Sequence, residues 1–147
     1  MLPVRKKNRL ESYDYSSAGA YFLTICTKDR RKLLGDIVGG DAFIAPQMKL
    51  SPCGETVKHF LENIPGLDQY VIMPNHIHLI LLSQGKEQSV PQRIRAFKGL
   101  VTKQCGESLF QRSYHDHVIR GERDYREIRR YIEGNPQKWK ADELFVE

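Results

Sequence analysis

His76-Ile77-His78 sets two imidazoles two residues apart at the start of the apolar run HIHLILL, residues 76–82. On a strand, side chains i and i+2 share a face, so both rings project together. Two adjacent imidazoles are half of a metal site, and a rigid strand is a good platform for one. The same spacing also suits two hydrogen-bonded histidines in a half-buried sheet. A second pair, His115-Asp116-His117, stands on a shorter run. If its strand neighbours the first, His115 or His117 approaches His76 and His78. Otherwise it is an exposed strand end facing solvent or phosphate. Tyr131 lies in the stretch Tyr125-Arg126-Glu127-Ile128-Arg129-Arg130-Tyr131-Ile132. A phenol with a pKa near ~10 attacks phosphorus poorly unless nearby cations or a metal favour the phenolate. Tyr131 also fits as an amphipathic residue at the margin of a buried stripe.

These side chains need elements to hold them. Residues 20–27, AYFLTICT, are aromatic and β-branched and read as a strand. Residues 28–46 read as a basic turn and a glycine-containing loop. Residues 51–64 read as a helix, capped by Ser51, with Pro52 in its first turn and Cys53, Val57, Phe60, Leu61 and Ile64 on one face. Residues 69–73 and 76–82 read as a hairpin around Pro74-Asn75. Its second strand is apolar on both faces beyond the histidines, as a central strand should be. Residues 90–105 read as a helix with Val90, Ile94, Phe97, Val101 and Cys105 along one stripe. Residues 114–120 read as a short strand. Residues 122–133 read as a helix, with Glu122 and Asp124 where acids favour the dipole. Gly134-Asn135-Pro136 ends or kinks it. The order β, α, β, β, α, β, α predicts an α+β, ferredoxin-like (RRM-like) sandwich. Its central antiparallel sheet carries helices on one face, plus a C-terminal helix bearing Tyr131.

The 147 residues fit one domain, 1–147, with a basic N-terminal arm at about 1–19. A hydrophobic share of 40% and a charged share of 28% exclude a disordered tail protein. The 3 cysteines form no CxxC, which argues against a disulfide framework or a cysteine zinc site and favours a reducing compartment. No run reaches the ~18 apolar residues of a membrane helix. A soluble, cytoplasmic chain is expected. Net charge is +5, unevenly placed. Arg5, Lys6, Lys7 and Arg9 face no acid in residues 1–10. Lys28, Arg30, Arg31 and Lys32 face one, Asp29. Arg93, Arg95, Lys98 and Lys103 lie in an acid-free stretch, 88–106. Such clusters suit a polyanion, most simply nucleic acid, and equally a well-solvated surface.

The ordered set Pro74-Asn75-His76-Ile77-His78, the basic middle helix, His117-Val118-Ile119-Arg120 and Tyr131-Ile132-Glu133-Gly134-Asn135-Pro136 resembles the HUH single-tyrosine transposases. It looks closest to their REP-associated tyrosine transposase branch. Residues 9–15, RLESYDY, and 19–27, GAYFLTICT, are similar to that branch too, so the resemblance runs from Arg9 to Trp139. It implies a metal-dependent single-stranded DNA endonuclease and strand transferase acting on hairpin or repeat DNA ends. It implies His76 and His78 as catalytic metal ligands, Asn135 as a third, oxygen-bearing ligand, and Mg²⁺ or Mn²⁺ as the ion. It implies Tyr131 as the nucleophile, forming a 5′-phosphotyrosine and a free 3′-hydroxyl, so that strands rejoin without ATP. DNA contacts then fall to Arg93, Arg95, Lys98 and Lys103 and to the arm cations Arg5, Lys6, Lys7 and Arg9. The expected partner is single-stranded or hairpin DNA, with the chain a monomer or a homodimer, cytoplasmic and nucleoid-associated. The fold also suits a ribonucleolytic or non-catalytic nucleic-acid-binding module, or a zinc hydrolase using His76, His78 and His115 or His117.

Overall fold

Alternation along two central strands decides how the sheet is sandwiched. The computed structural model describes residues 19–41, 43–86, 88–142 and 144–145. Its strands are β1 (Gly19–Cys26), β2 (Gly35–Val38), β3 (Gln47–Leu50), β4 (Leu67–Met73), β5 (His76–Ser83) and β6 (His115–Ile119). Its α-helices are α1 (Pro52–Leu61), α2 (Val90–Cys105) and α3 (Glu122–Glu133). Strands β4, β5, β1 and β6 form one antiparallel sheet in that order, and β2 and β3 form a separate hairpin. This is the expected ferredoxin-like α+β arrangement.

From one face of the sheet, Tyr21, Leu23 and Ile25 of β1 and Ile77, Leu79 and Leu81 of β5 enter the main core. There they meet Val57 and Leu61 of α1 and Ile94, Phe97 and Val101 of α2. Leu79 is fully buried, so Leu79→Ala should cost about 2–5 kcal/mol of stability. The alternate residues Phe22 and Ile80 face the other way and meet Ile128 and Ile132 of α3. That second face also carries Thr24, Cys26, His76 and His78, because directly opposed residues of an antiparallel pair share a side and Thr24 pairs His78 while Cys26 pairs His76.

Local chemistry sets the helix ends. Ser51 caps α1 by accepting from Gly54 N, with Pro52 at the first position. Ser89 and Gln92 form a reciprocal capping box on α2, and left-handed Gly106 closes it. Several expectations need correction. The strand expected at 20–27 is shifted by one residue, those at 69–73 and 76–82 are longer, that at 114–120 is trimmed at both ends, and α1 stops at Leu61. The segment 28–46 is not all loop, because it contains β2. The proposed arm gives up Gly19 to β1, and its residues 1–18, with Arg5, Lys6, Lys7 and Arg9, lie outside the described residues. The strand of the second histidine pair is not adjacent to β5, because β1 lies between them. No helix among the described residues is long and apolar enough to cross a membrane.

Candidate metal centre and tyrosine site

His76 opens β5 straight after the Pro74-Asn75 turn and is fully buried. Its Nδ1 lies 2.8 Å from Asn75 Oδ1. Asn75 Nδ2 donates to Arg30 O at 3.1 Å and to Leu144 O at 2.7 Å. With its amide nitrogen occupied by two carbonyls, Asn75 must present its oxygen to the ring. His76 therefore donates from Nδ1, which leaves Nε2 turned toward the acid at the site. That Nε2 is buried with no hydrogen-bond partner. The nearest acid is Asp142, whose Oδ2 lies 3.3 Å away. A buried ring nitrogen without a hydrogen bond is costly unless something else engages it.

His78 is the second ring, 4.6 Å from His76 between centroids. Its Nδ1 is 2.9 Å from Thr24 Oγ1, the residue opposite it in register. Burial, reinforced by the neighbouring His76, lowers its pKa to about 3, so the ring is neutral near pH 7. Burial pushes the Asp142 carboxyl up, but the His76 imidazole and the Leu144 N–H outweigh that and hold it below the usual range. His76, His78 and Asp142 each offer one ligand atom, all within 4.8 Å of one another. Two imidazoles, each oriented through Nδ1, beside one carboxylate suit a divalent cation. The orphaned Nε2 of His76 is the atom such an ion would satisfy.

Tyr131 borders this cluster from α3. Its hydroxyl is 3.4 Å from His78 Nε2, with ring centroids 5.1 Å apart. It is 41% exposed, so a substrate can reach it while the histidines stay buried. Phe22 stacks on His78 and meets Tyr131 edge-on, closing the floor of the site. Trp139 stacks on His76 from the short helical turn Trp139–Ala141 that precedes Asp142.

The other expected residues scatter. Asn135 lies just past α3, nine-tenths buried, and its Nδ2 donates to Tyr131 O at 3.0 Å. The acid beside the imidazoles is Asp142, which sequence spacing did not single out. Arg93 is a correction to the expected DNA contacts. It is 3% exposed, and its guanidinium donates to Gln88 O, Pro65 O and Leu82 O. It ties α2 to the β4 and β5 ends because those carbonyls need a donor away from water. Lys98 likewise donates from Nζ to Gln111 O and Arg112 O. Arg95 and Lys103 are exposed on α2. His117 pairs with Asp124 at 2.8 Å instead of approaching β5, and His115 is exposed. Asn75 is the other residue that sequence reasoning missed. It registered as a turn former, and its position directly before the HxH was the available signal.

No protein-family model matches the chain. An uncharacterised Haemophilus influenzae protein is 34% identical over 175 aligned positions, spanning 97% of this chain and 94% of that one. A protein of Escherichia coli K12 named REP-associated tyrosine transposase is 25% identical over 130 positions, spanning 84% and 70%. Among solved structures, a REP-associated tyrosine transposase bound to a REP hairpin superposes with a TM-score of 0.65 at 23% identity, covering 94% of this chain and 74% of that one. A transposase-like protein of Deinococcus radiodurans gives 0.50 at 23% identity, covering 88% and 97%. The chain thus belongs to one family with the Haemophilus influenzae protein, is similar in sequence to the Escherichia coli REP-associated tyrosine transposase, and shares the fold of the solved one.

Proposed function

We propose that the chain is a metal-dependent single-stranded DNA endonuclease and strand transferase, one domain over residues 1–147 with a basic N-terminal arm. The observation that carries this reading is Tyr131, exposed, with its hydroxyl 3.4 Å from His78 Nε2 at the margin of a buried His76–His78–Asp142 cluster. Its substrate is hairpin or repeat DNA, the class named for the solved relative. Arg95 and Lys103 and the arm cations Arg5, Lys6, Lys7 and Arg9 contact its backbone.

In this reading Tyr131 Oη attacks the scissile phosphorus. The new bond is tyrosine oxygen to phosphorus, and the bond that breaks is phosphorus to O3′. The phenol proton passes to solvent and a solvent proton reaches the departing oxygen, leaving a 3′-hydroxyl and a 5′-phosphotyrosine. A 3′-hydroxyl from another end reverses the exchange and joins strands without ATP. Simple hydrolysis needs no such covalent step, so a tyrosine beside the histidine pair favours strand transfer. His76, His78 and Asp142 would hold Mg²⁺ or Mn²⁺, which supplies charge neutralisation at the phosphate and favours the phenolate. Asn75 and Thr24 hold the two rings in the required orientation. Phe22 and Trp139 keep water from the buried sides of the rings. Asn135 braces the last turn of α3 under Tyr131.

The test incubates the protein with a labelled single-stranded hairpin library and Mn²⁺, beside Tyr131→Phe and His76→Ala. A denaturant-stable protein–DNA adduct should form with wild type. It should be absent in Tyr131→Phe, fall at least ~100-fold in His76→Ala, and vanish with a chelator. DNA binding without an adduct, across metals and substrates, would leave a non-catalytic nucleic-acid-binding module.

A further inference from the structure

We infer that a cleft at the end of β1 is a docking site for the phosphodiester backbone of single-stranded DNA, an inference that rests on the proposed nuclease reading. The cleft has a volume of about 530 Å³ and is lined by Lys28, Asp29, Arg30, Gln111 and Arg112. Lys28, Arg30 and Arg112 are all exposed. Among the described residues no ion pair to an acid within 4.0 Å is found for any of them.

The cleft is built, not merely charged. Asp29 and Arg30 both hold left-handed backbone, at φ 55° and 54°. Each such residue costs about 1–2 kcal/mol outside glycine. Hydrogen bonds enforce this shape: Lys28 N to Leu109 O at 2.9 Å, Arg30 N to Thr27 O at 3.1 Å and Arg31 N to Lys28 O at 3.1 Å. The opposite wall is fastened to β1 by Gln111, whose N donates to Cys26 O at 2.9 Å and whose Nε2 donates to Thr27 O at 3.1 Å. Lys98 Nζ then holds that wall from behind through Gln111 O and Arg112 O, at 2.8 and 3.2 Å. Its ammonium adds a further positive charge to the field of the cleft. A loop that only kept cations in water would need none of this ordering. Preorganised cations hold an anion at a lower entropic cost.

Position ties the cleft to the tyrosine site. Thr27 N donates to Asn75 O at 3.0 Å, and Asn75 Nδ2 donates to Arg30 O at 3.1 Å. The residue that orients His76 is thus hydrogen-bonded to the cleft's own turn. A strand with its scissile phosphate at Tyr131 has neighbouring phosphates to place at this end of the sheet. The lining holds no aromatic ring to stack a base, so contact is through the backbone and tolerant of sequence.

The test measures anisotropy of labelled oligothymidylate with the full chain across a NaCl series. It compares wild type, a Lys28→Gln/Arg30→Gln/Arg112→Gln variant and a Lys49→Gln/Lys58→Gln control, each checked for an unchanged thermal midpoint. Single-stranded binding loses about 0.7 in log–log salt slope per neutralised phosphate. The triple variant should therefore lose about 2 in slope and roughly 10- to 100-fold in affinity at low salt. Its adduct yield at saturating DNA should stay within about twofold of wild type, since the chemistry is elsewhere. An unchanged slope with normal adduct formation overturns the cleft and leaves the nuclease reading standing. A reduced slope where even wild type forms no adduct supports the cleft and removes the nuclease reading. An equal loss in the control overturns the cleft as a DNA site.

Discussion

Asn75 is fully buried and every polar atom of its side chain is engaged: Oδ1 with His76, Nδ2 with Arg30 O and Leu144 O. It links a ring of the candidate metal centre to the β1–β2 turn and to the segment that brings in Asp142. Asn75→Ala leaves His76 free to rotate and strips two carbonyls of their donor. Unpaired buried groups cost about 1–3 kcal/mol each, and loss of an orienting partner weakens metal binding by about 10- to 100-fold. Urea unfolding and Mn²⁺ titration calorimetry should show both effects. Lost stability with undiminished Mn²⁺ affinity would make Asn75 a structural residue alone. At this scale the sequence was partly legible. His76 and His78 stand out because strand period brings i and i+2 together, and Tyr131 because it flanks a helical stripe. Asp142 did not, since no periodicity links β5 to a turn near the other end of the chain. Arg93 looked like its exposed neighbour Arg95, because composition does not reveal which cation turns inward to satisfy carbonyls.

The elements were more legible than the residues. The spans predicted for α2 and α3 match the structure, since a capping box starts one and Gly106 and Gly134 bound the ends. The β2–β3 hairpin escaped because it is short, mostly exposed and joined by a glycine-bearing loop, so alternation had few apolar residues to register in. How α3 is seated yields a prediction of its own. Only Ile128 and Ile132 of α3 are buried, a thin apolar contact for the helix that carries Tyr131. Polar latches at its first turns reach both edge strands. Tyr125 donates to Asp68 of β4 at 2.5 Å, and Asp124 meets His117 of β6 at 2.8 Å while accepting from Arg120 N. Tyr125→Phe removes one latch without opening the core. It should cost about 1 kcal/mol of stability and slow adduct formation roughly 10-fold through misplacement of Tyr131. Single-turnover kinetics at saturating DNA would check this, and an unchanged rate would mean that the apolar stripe and the Asp124–His117 latch seat the helix without Tyr125.

The whole molecule has accepted a neutral His78 in its interior, beside His76 and a carboxylate, and its pH stability should report that. In the chelated protein His78 has a pKa near 3, pushed down first by burial and then by His76. In the unfolded chain it titrates near ~6.5. Between those values the unfolded state binds a proton that the folded state refuses. Stability is therefore fully present above about pH 6.5 and declines as pH falls, by about 1.4 kcal/mol per unit once well below that value. Asp142, held below its usual pKa, adds a loss of the same sign further down, as pH falls through the carboxylate range. Urea midpoints with EDTA at pH 7.5 and 5.5 should differ by roughly 1 kcal/mol in unfolding free energy, other groups being equal. His78→Asn, whatever its own stability, should flatten that slope, because its side chain does not titrate. Saturating Mn²⁺ should raise stability but leave that slope in place, since the folded His78 already binds no proton near neutrality and the unfolded chain still takes one up. A wild-type slope matched by His78→Asn would place the acid sensitivity elsewhere and argue that His78 is solvated in solution.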